Sequence, residues 1–588
     1  MSLKGGGAEG YRSVQLTPSG SSWEPHTYVR CLNSPPRLFI ITSITFFCTR
    51  IMSSPGRHLL ASALAAGDEV DVIALEAREP GQLYTWGRNT DGQLGQDRVC
   101  LPPSSHDLAC ALPFPIPGLH EIIDCACGTG AQGCTFAVAV SGELYAFGNN
   151  SKSRLGLGTR ERAIRIPTQV RIPVAITRVA CDFHTLALDD AGTLWSWGVN
   201  GGNGCLGLVG VANDAIVTSP TPIPRFTTHA IVAIGACNEA SAALDSTGAL
   251  FMWGSAGGKG RNRLGLGDPA RDTGTPTALI GIPPVVGLDI GSLYTAAWCV
   301  DGSLYTWGYG GAANLGHGNV ESVSLPTRVE WFAERGVHII HCACTVGEDH
   351  PKGQIKRHAS KSNQGKEGPH THAVDSVGNL YSFGSSHKGL LCNLAMKSLA
   401  VGSGWDESLP YLVTKSSGAP TALFPPRPDS RPADTDSKGG KRRRRLYHET
   451  TGLRGPHNAT RAPSDWALQP GTDYSHGMGP IISAASFHIS AMCVGADGRL
   501  WAWGCGSNEG RCGVERFLSS NGRQYKPSKM KCYMHCPHQA GVCHDWAFKG
   551  SKGEWPRREM GANGPLDGVR VLRMAASRNH AVCIGVRE

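Results

Sequence analysis

The chain lacks any apolar run long enough to cross a membrane. The best candidate, residues 38–48, contains two Thr and one Ser and falls short of the roughly 18 consecutive apolar residues such a helix needs. Charged residues are scarce, at 18%, whereas hydrophobic residues make up 40%. That balance excludes wholesale disorder, because enough apolar surface is present for a large core. Glycine does not recur at every third position, which excludes collagen.

A disulfide framework is missing as well. The 21 Cys are an odd number spread over the whole chain, and several lie inside apolar runs. This pattern predicts buried, reduced thiols, with Cys237, Cys299, Cys493 and Cys583 as examples. Residues 1–10 lack the charged-then-apolar order of a signal sequence. We therefore expect a reduced compartment, cytoplasmic and/or nuclear.

The positive charge is local. The chain carries 56 Lys and Arg against 47 Asp and Glu, a formal net charge of +9. Residues 427–465 alone hold ten Lys/Arg and five Asp/Glu, so that segment accounts for +5. The remainder is close to balanced, which argues against a globally basic surface for nucleic acid.

Glycine, by contrast, is abundant: 76 residues, many of them in a repeat. The motif Gly-x-Leu-aromatic-x-Trp/Phe-Gly occurs seven times, at 81–87, 142–148, 192–198, 248–254, 302–308, 378–384 and 498–504. Each copy predicts a strand that is apolar on both faces and therefore covered by layers above and below. A weaker strand, such as the one starting at His184, precedes each motif by a hairpin, and a Leu-Gly pair follows most copies.

The spacing of the motifs predicts an all-β, seven-bladed β-propeller. The intervals between motif starts are 61, 50, 56, 54, 76 and 120 residues, and a four-stranded blade needs roughly 40–50. We assign residues 66–588 to the propeller, with insertions at 351–370, 391–475 and 505–563, and residues 1–65 to a disordered extension. The segment from Asn579 to Ile584 repeats a hairpin strand and is expected to pair near Leu83 or residues 70–75, closing the ring.

These motifs resemble the repeat of the regulator of chromosome condensation family. The resemblance rests on the hairpin strand, the Gly-x-Leu-Tyr-x-Trp-Gly motif and the trailing Leu-Gly pair, and it covers residues 70–586 apart from the insertions. WD-repeat and kelch propellers are disfavoured, because Trp-Gly stands where a WD repeat has Trp-Asp and paired glycines are missing before each strand.

The resemblance implies two classes of function. The founding member of the family is a guanine-nucleotide exchange factor for the small GTPase Ran and also binds chromatin, whereas many members are interaction platforms. Asp349 and His350 match the type of an acidic-His pair that contacts the GTPase, and Asp182 and Asn579 lie in comparable loops. We expect a monomeric protein-protein interaction scaffold that binds partners through loops on one propeller face. Exchange on a Ran-like small GTPase is the alternative.

Other candidate sites lie in the insertions. The basic run of Lys441, Arg442, Arg443, Arg444 and Arg445 is either a nuclear-localisation or nucleic-acid contact or a solvated loop. Cys532, Cys536 and Cys543 include one pair at zinc spacing, but the set falls short of a two-pair motif, so we expect no metal. No phosphate-binding loop or catalytic set can be assembled, and we expect no cofactor, no catalytic residue and no membrane contact.

Overall fold

Seven four-stranded antiparallel sheets make up most of the structure. The computed structural model describes residues 78–96, 109–128, 133–257, 262–267, 272–345, 368–385, 391, 406–413, 480–487, 490–504, 534–539, 544–546, 557–559, 566–577 and 580–588. The expected extension at 1–65 lies outside these residues. No helix in the described part of the chain is long and apolar enough to cross a membrane.

Each sheet forms one blade, and the strands follow chain order within blades two to seven. Blade one combines β1 (Gln82–Arg88), β2 (Ala109–Pro115), β29 (Val569–Ala576) and β30 (His580–Arg587). Blade two has β3 (Ile122–Cys127), β4 (Cys134–Ala139), β5 (Leu144–Asn149) and β6 (Ala163–Gln169). Blade three has β7 (Ile176–Cys181), β8 (His184–Asp189), β9 (Leu194–Val199) and β10 (Ile216–Pro222). Blade four has β11 (Ile231–Cys237), β12 (Ala240–Asp245), β13 (Leu250–Gly254) and β14 (Thr273–Ala278).

The last three blades follow the same plan. Blade five has β15 (Val285–Ile290), β16 (Tyr294–Cys299), β17 (Leu304–Gly308) and β18 (Val323–Arg328). Blade six has β19 (Ile339–Cys344), β20 (His370–Asp375), β21 (Leu380–Ser385) and β22 (Asp406–Leu412). Blade seven has β23 (Ile481–Phe487), β24 (Ser490–Gly495), β25 (Leu500–Gly504) and β26 (Met534–Gln539). A separate pair is β27 (His544–Trp546) with β28 (Arg557–Glu559), and the short elements are a 3-10 turn (Ser151–Ser153) and helix α1 (Glu330–Ala333).

The blades form a closed ring. Their innermost strands, β3, β7, β11, β15, β19, β23 and β29, contact one another in that order, and β29 returns to β3. The closure is made inside blade one, where the C-terminal β30 pairs with the N-terminal β1 and Leu83 lies opposite Ile584. This confirms the expected pairing of the 579–584 segment near Leu83. Both ends of the propeller are therefore tied into one sheet.

The tryptophan before the final glycine of the repeat motif forms a hydrogen bond to the neighbouring blade. Trp307 of blade five is fully buried, and its Nε1 donates to the Arg263 carbonyl of blade four at 2.9 Å. The Thr295 hydroxyl donates to the same carbonyl at 2.8 Å. Trp197 and Thr185 repeat this arrangement on the Arg154 carbonyl, at 2.8 and 2.9 Å. Each such blade thus satisfies a buried loop carbonyl of the blade before it.

The Leu-Gly pair makes room for the tryptophan of the next blade. Leu155 is fully buried, and Gly156 has a φ of 71°. A Cβ at Gly156 would lie 2.6 Å from Nε1 of Trp197, so the next blade's indole needs a glycine here.

Every outer strand carries a proline inside a β-bulge. In β18, Val323 pairs with Gly308 and Thr327 with Thr306, and Pro326 lies in the irregular stretch between them. Because proline has no N–H, it is tolerated at an edge where the ladder is already interrupted. The equivalent residues are Pro113, Pro167, Pro220, Pro276, Pro410 and Pro537.

Blade six differs from the sequence analysis at one junction. Strand β20 begins at His370, which pairs with Gly384 as His184 pairs with Gly198, so His370 belongs to the strand and not to the insertion assigned to 351–370. The inserted residues consequently fall between β19 and β20, where they leave the strand ladder intact.

Two segments assigned to insertions contribute to the sheets. Residues 391–475 include β22, and residues 505–563 include β26, β27 and β28. The outer strands β22 and β26 complete blades six and seven, which would otherwise each have three strands.

The predicted thiol environment is confirmed. Cys237, Cys299, Cys493 and Cys583 are buried thiols that take part in no disulfide bond. Burial raises the pKa of the Cys299 thiol to about 12, so it stays protonated and packs as a small apolar group.

Candidate functional site

One end of the propeller collects two loops from every blade. In an antiparallel blade, the loop from the first to the second strand and the loop from the third to the fourth emerge at the same end. We call this end the loop face; examples are residues 182–183 and 200–215 of blade three. The opposite end carries the tight hairpin turns, such as residues 190–193, and the connections between blades.

The predicted partner-binding residues belong to first loops of this kind. Asp182 is described and lies between β7 and β8. Asp349 and His350 lie outside the described residues, in the segment joining β19 to β20. Asn579 is also outside them, one residue before β30. The basic run from Lys441 to Arg445 and the cysteines Cys532 and Cys543 also lie outside the described residues.

Asp182 is held inside the face. Its side chain has no exposed surface, and its Oδ2 accepts a hydrogen bond from the Asn238 backbone N–H of blade four at 2.5 Å. A carboxylate that accepts a backbone N–H forms a strong, charge-assisted bond. Asp182 therefore joins the first loops of blades three and four, and a partner would reach it only through the residues that cover it.

The repeated histidines are also engaged between blades. His184 Nε2 lies 2.6 Å from Ser241 Oγ, and His580 Nε2 lies 2.9 Å from Thr135 Oγ1 in blade two. Burial lowers the pKa of His184 to about 4 and that of His580 to about 3. Both are neutral near pH 7, and their ring nitrogens form hydrogen bonds that join neighbouring blades.

Sequence reasoning missed a basic position on this face. Arg154 of blade two and Arg263 of blade four both directly precede a Leu-Gly pair and are 5% and 1% exposed. Arg263 is satisfied: its Nε donates to Ser255 O and its Nη1 to Ser292 O, each at 2.8 Å. Arg154 Nε donates to Ser151 O at 3.1 Å, but its buried Nη1 has no acceptor. The only sequence signal for this position is the arginine that directly precedes the Leu-Gly pair in both blades.

Among the described residues, one carboxylate lines the cavity at the centre of the ring. A cavity of about 190 Å³ is lined by inner-strand residues, including Asp289. By the pairing register, the residues equivalent to Asp289 in blades two, three and four are Ala126, Ala180 and Gly235. Asp289 Oδ2 accepts the Cys344 N–H at 2.7 Å, and burial raises its pKa to about 6. Across the described residues, no three His, Cys, Asp or Glu side chains are grouped to hold a metal ion.

Comparison with known proteins identifies the repeat. A family model of the regulator of chromosome condensation (RCC1) repeat matches residues 80–134, 141–188 and 301–350. The human E3 ubiquitin-protein ligase HERC2 is 28% identical over 319 residues, covering 53% of this chain and 6% of HERC2. The ultraviolet-B receptor UVR8 of Arabidopsis thaliana is 32% identical over 289 residues, covering 47% of this chain and 60% of the receptor. The chain thus aligns with less than two thirds of either relative.

Solved structures share the fold at low sequence identity. Human WBSCR16 superposes with a TM-score of 0.55 at 16% identity, covering 86% of this chain and 99% of that one. Prp20p of Saccharomyces cerevisiae, described with its binding properties to Gsp1p and histones, gives 0.55 at 16%, covering 87% and 93%. The chain therefore contains regulator of chromosome condensation repeats, matched at residues 80–134, 141–188 and 301–350, within a seven-bladed β-propeller.

Proposed function

We propose that the chain is a protein-protein interaction scaffold that binds its partners through the loop face. The observation that carries this proposal is the engagement of Asp182, His184 and His580 in bonds between blades. Titratable groups held in this way stabilise a rigid platform and leave the surrounding loops to make contacts. Binding residues are found disproportionately on loops that a rigid scaffold positions.

The face is held by several independent contacts. We call the hydrogen bond from a motif tryptophan to a loop carbonyl of the preceding blade the tryptophan clamp. Each clamp fixes the base of a third-to-fourth-strand loop to the next blade, as Trp307 does with Arg263. The Thr306 hydroxyl also donates to Leu315 O at 2.7 Å within its own blade. Loops anchored at both ends lose little entropy on binding, so a partner meets a preformed surface.

Charge reversal on the two ends of the propeller tests this proposal. One variant carries Arg160→Glu and Arg162→Glu on the loop face; its matched control carries Arg171→Glu and Arg225→Glu near the opposite end, and all four residues are exposed. Proteins captured by the wild-type chain should be lost from the first variant and kept by the second. Capture that survives the first variant and fails with the second would place binding at the other end.

Guanine-nucleotide exchange on a Ran-like small GTPase is the second candidate. Its support is the fold shared with Prp20p, which was studied with Gsp1p, together with the acidic-His pair Asp349–His350. Release of fluorescent GDP from Ran should then accelerate in the presence of the full chain and lose that acceleration in the Asp349→Ala variant. An unchanged rate of GDP release with a folded sample would exclude exchange on Ran and leave the scaffold function as the remaining proposal.

A chromatin role is proposed for the basic run from Lys441 to Arg445. Five adjacent cations would bind DNA phosphates with a steep dependence on salt concentration. Replacing all five by Ala should abolish that binding and, if the run is also a nuclear-localisation signal, shift a fluorescent fusion towards the cytoplasm. Equal DNA affinity before and after replacement would exclude the run as the contact.

A further inference from the structure

Arg154 has unused hydrogen-bonding capacity at the loop face. Its repeat partner Arg263 reaches the Ser292 carbonyl in the next blade, whereas the Nη1 of Arg154 is buried without an acceptor. In blade three, the loop that Arg154 faces has Phe183, whose ring centroid lies 5.9 Å from the guanidinium carbon. A buried, unsatisfied N–H of a charged group is costly unless something binds it, so this position indicates a ligand.

A second cation converges on the same ring. Lys152 Nζ lies 5.3 Å from the Phe183 centroid, on the exposed side. The backbone holds Lys152 at a φ of 62°, a left-handed conformation that a non-glycine residue adopts at some cost. No carboxylate among the described residues forms an ion pair with Lys152 or Arg154. Two positive charges therefore meet at one half-buried phenyl ring, and the adjacent Asp182 carboxylate is engaged by the Asn238 N–H.

We propose that this site binds a single acidic side chain, Asp or Glu, of a partner protein. The carboxylate would accept hydrogen bonds from the planar guanidinium of Arg154 and pair with Lys152 at the rim. The ring provides an apolar wall for the methylene groups of the side chain. This inference rests on the proposed binding at the loop face and adds the chemistry that the partner must present.

The surrounding charges favour an acidic side chain over a nucleic acid. The neighbouring blades place Asp214 and Asp272 as exposed residues on the same face, with Glu239 partly exposed between them. A nucleic acid that extends from blade two across blades three and four would bring its phosphates past these carboxylates, and like charges at close range oppose binding. One projecting carboxylate can enter the blade-two site without meeting them.

Fluorescence anisotropy with labelled peptides tests the assignment on the full chain. The probes are hexaglutamate, hexalysine and a single-stranded DNA oligonucleotide, each titrated against wild-type protein, Arg154→Gln, Lys152→Gln and the opposite-end control Arg225→Gln. Hexaglutamate should bind the wild type and the control equally. The loss of affinity should be about tenfold or more for Arg154→Gln and about two- to fivefold for Lys152→Gln, as expected for a charge-assisted bond and an exposed ion pair.

The outcomes separate this site from the broader proposal. Hexaglutamate binding that is absent in folded wild type, or unchanged in Lys152→Gln and Arg154→Gln, overturns the acidic-side-chain site. DNA binding that equals hexaglutamate and falls with the same substitutions also overturns it, in favour of a nucleic acid. Failure of the loop-face proposal shows instead as partner capture lost only in the opposite-end charge reversal. The exposed Lys152→Gln variant keeps the test decisive if Arg154→Gln does not fold.

Discussion

The double donation to one carbonyl between blades four and five makes a quantitative prediction. Thr295 Oγ1 and Trp307 Nε1 both donate to Arg263 O, at 2.8 and 2.9 Å. Thr295→Val keeps the side-chain shape and removes one donor, which should lower the free energy of unfolding by about 0.5–1.5 kcal/mol. Trp307→Phe removes the other donor and some packing volume, and should cost about 1–3 kcal/mol.

The double variant should be worse than the sum. With both substitutions present, the Arg263 carbonyl loses both of these donors, so we expect about 1–2 kcal/mol beyond the two single losses. Phenylalanine fits this position, because Phe383 occupies it in blade six, where the Thr371 hydroxyl alone donates to the equivalent Asn314 carbonyl at 2.7 Å. The measurement is urea unfolding followed by tryptophan fluorescence and circular dichroism.

A matched pair provides the control. Thr185→Val removes the same kind of donor between blades two and three, and shares no acceptor with Trp307. Combined with Trp307→Phe, it should therefore add without coupling. An equal non-additive loss of unfolding free energy in the two double variants, or no such loss in either, would refute the explanation that Thr295 and Trp307 share one acceptor.

Three further outcomes are expected. Trp253→Ala should lower the unfolding free energy by about 3–5 kcal/mol through the cavity it opens, and an unchanged urea midpoint would contradict the strand's burial. The pKa of His184, lowered by burial to about 4, means that the folded state binds fewer protons than the unfolded one; stability should fall as the pH drops from about 6.5 to about 4, less steeply in His184→Gln. Asp289, with its pKa raised to about 6, acts in the opposite direction and reduces the slope. Deleting residues 577–588 removes β30 from between β1 and β29 and should make blade one protease-sensitive, whereas deleting Glu588 alone should not.

The repeat made the ring predictable, because its apolar strands determine both local structure and packing. All seven aromatic strands form where the motif places them, and the terminal strand closes the ring beside Leu83. The weaker outer strands were harder to find. In β22 the Pro-Thr pair of blades two to five is replaced by Pro410–Tyr411, so this signal is absent from the long segment that contains the strand.

The candidate site was less predictable, since it depends on which blade faces which. Arg154 and Arg263 precede identical Leu-Gly pairs, and the sequence around them gives no reason to separate them. The difference arises in the next blade, where one arginine meets a backbone carbonyl and the other meets Phe183. Likewise, the register of His370 opposite Gly384, fixed by pairing, decides which histidine enters the strand.

The proline in every outer strand has a consequence for how other molecules can attach. An exposed sheet edge ordinarily offers a row of N–H and C=O groups to which an extended peptide can add as another strand. Here each edge is interrupted at its bulge, for example at Pro326, so a continuous ladder cannot be extended outward. Peptide recognition by β-augmentation and edge-to-edge polymerisation are both discouraged around the circumference. The proposed contacts with other proteins would then be made by side chains at the ends of the propeller and not by strand addition at its sides.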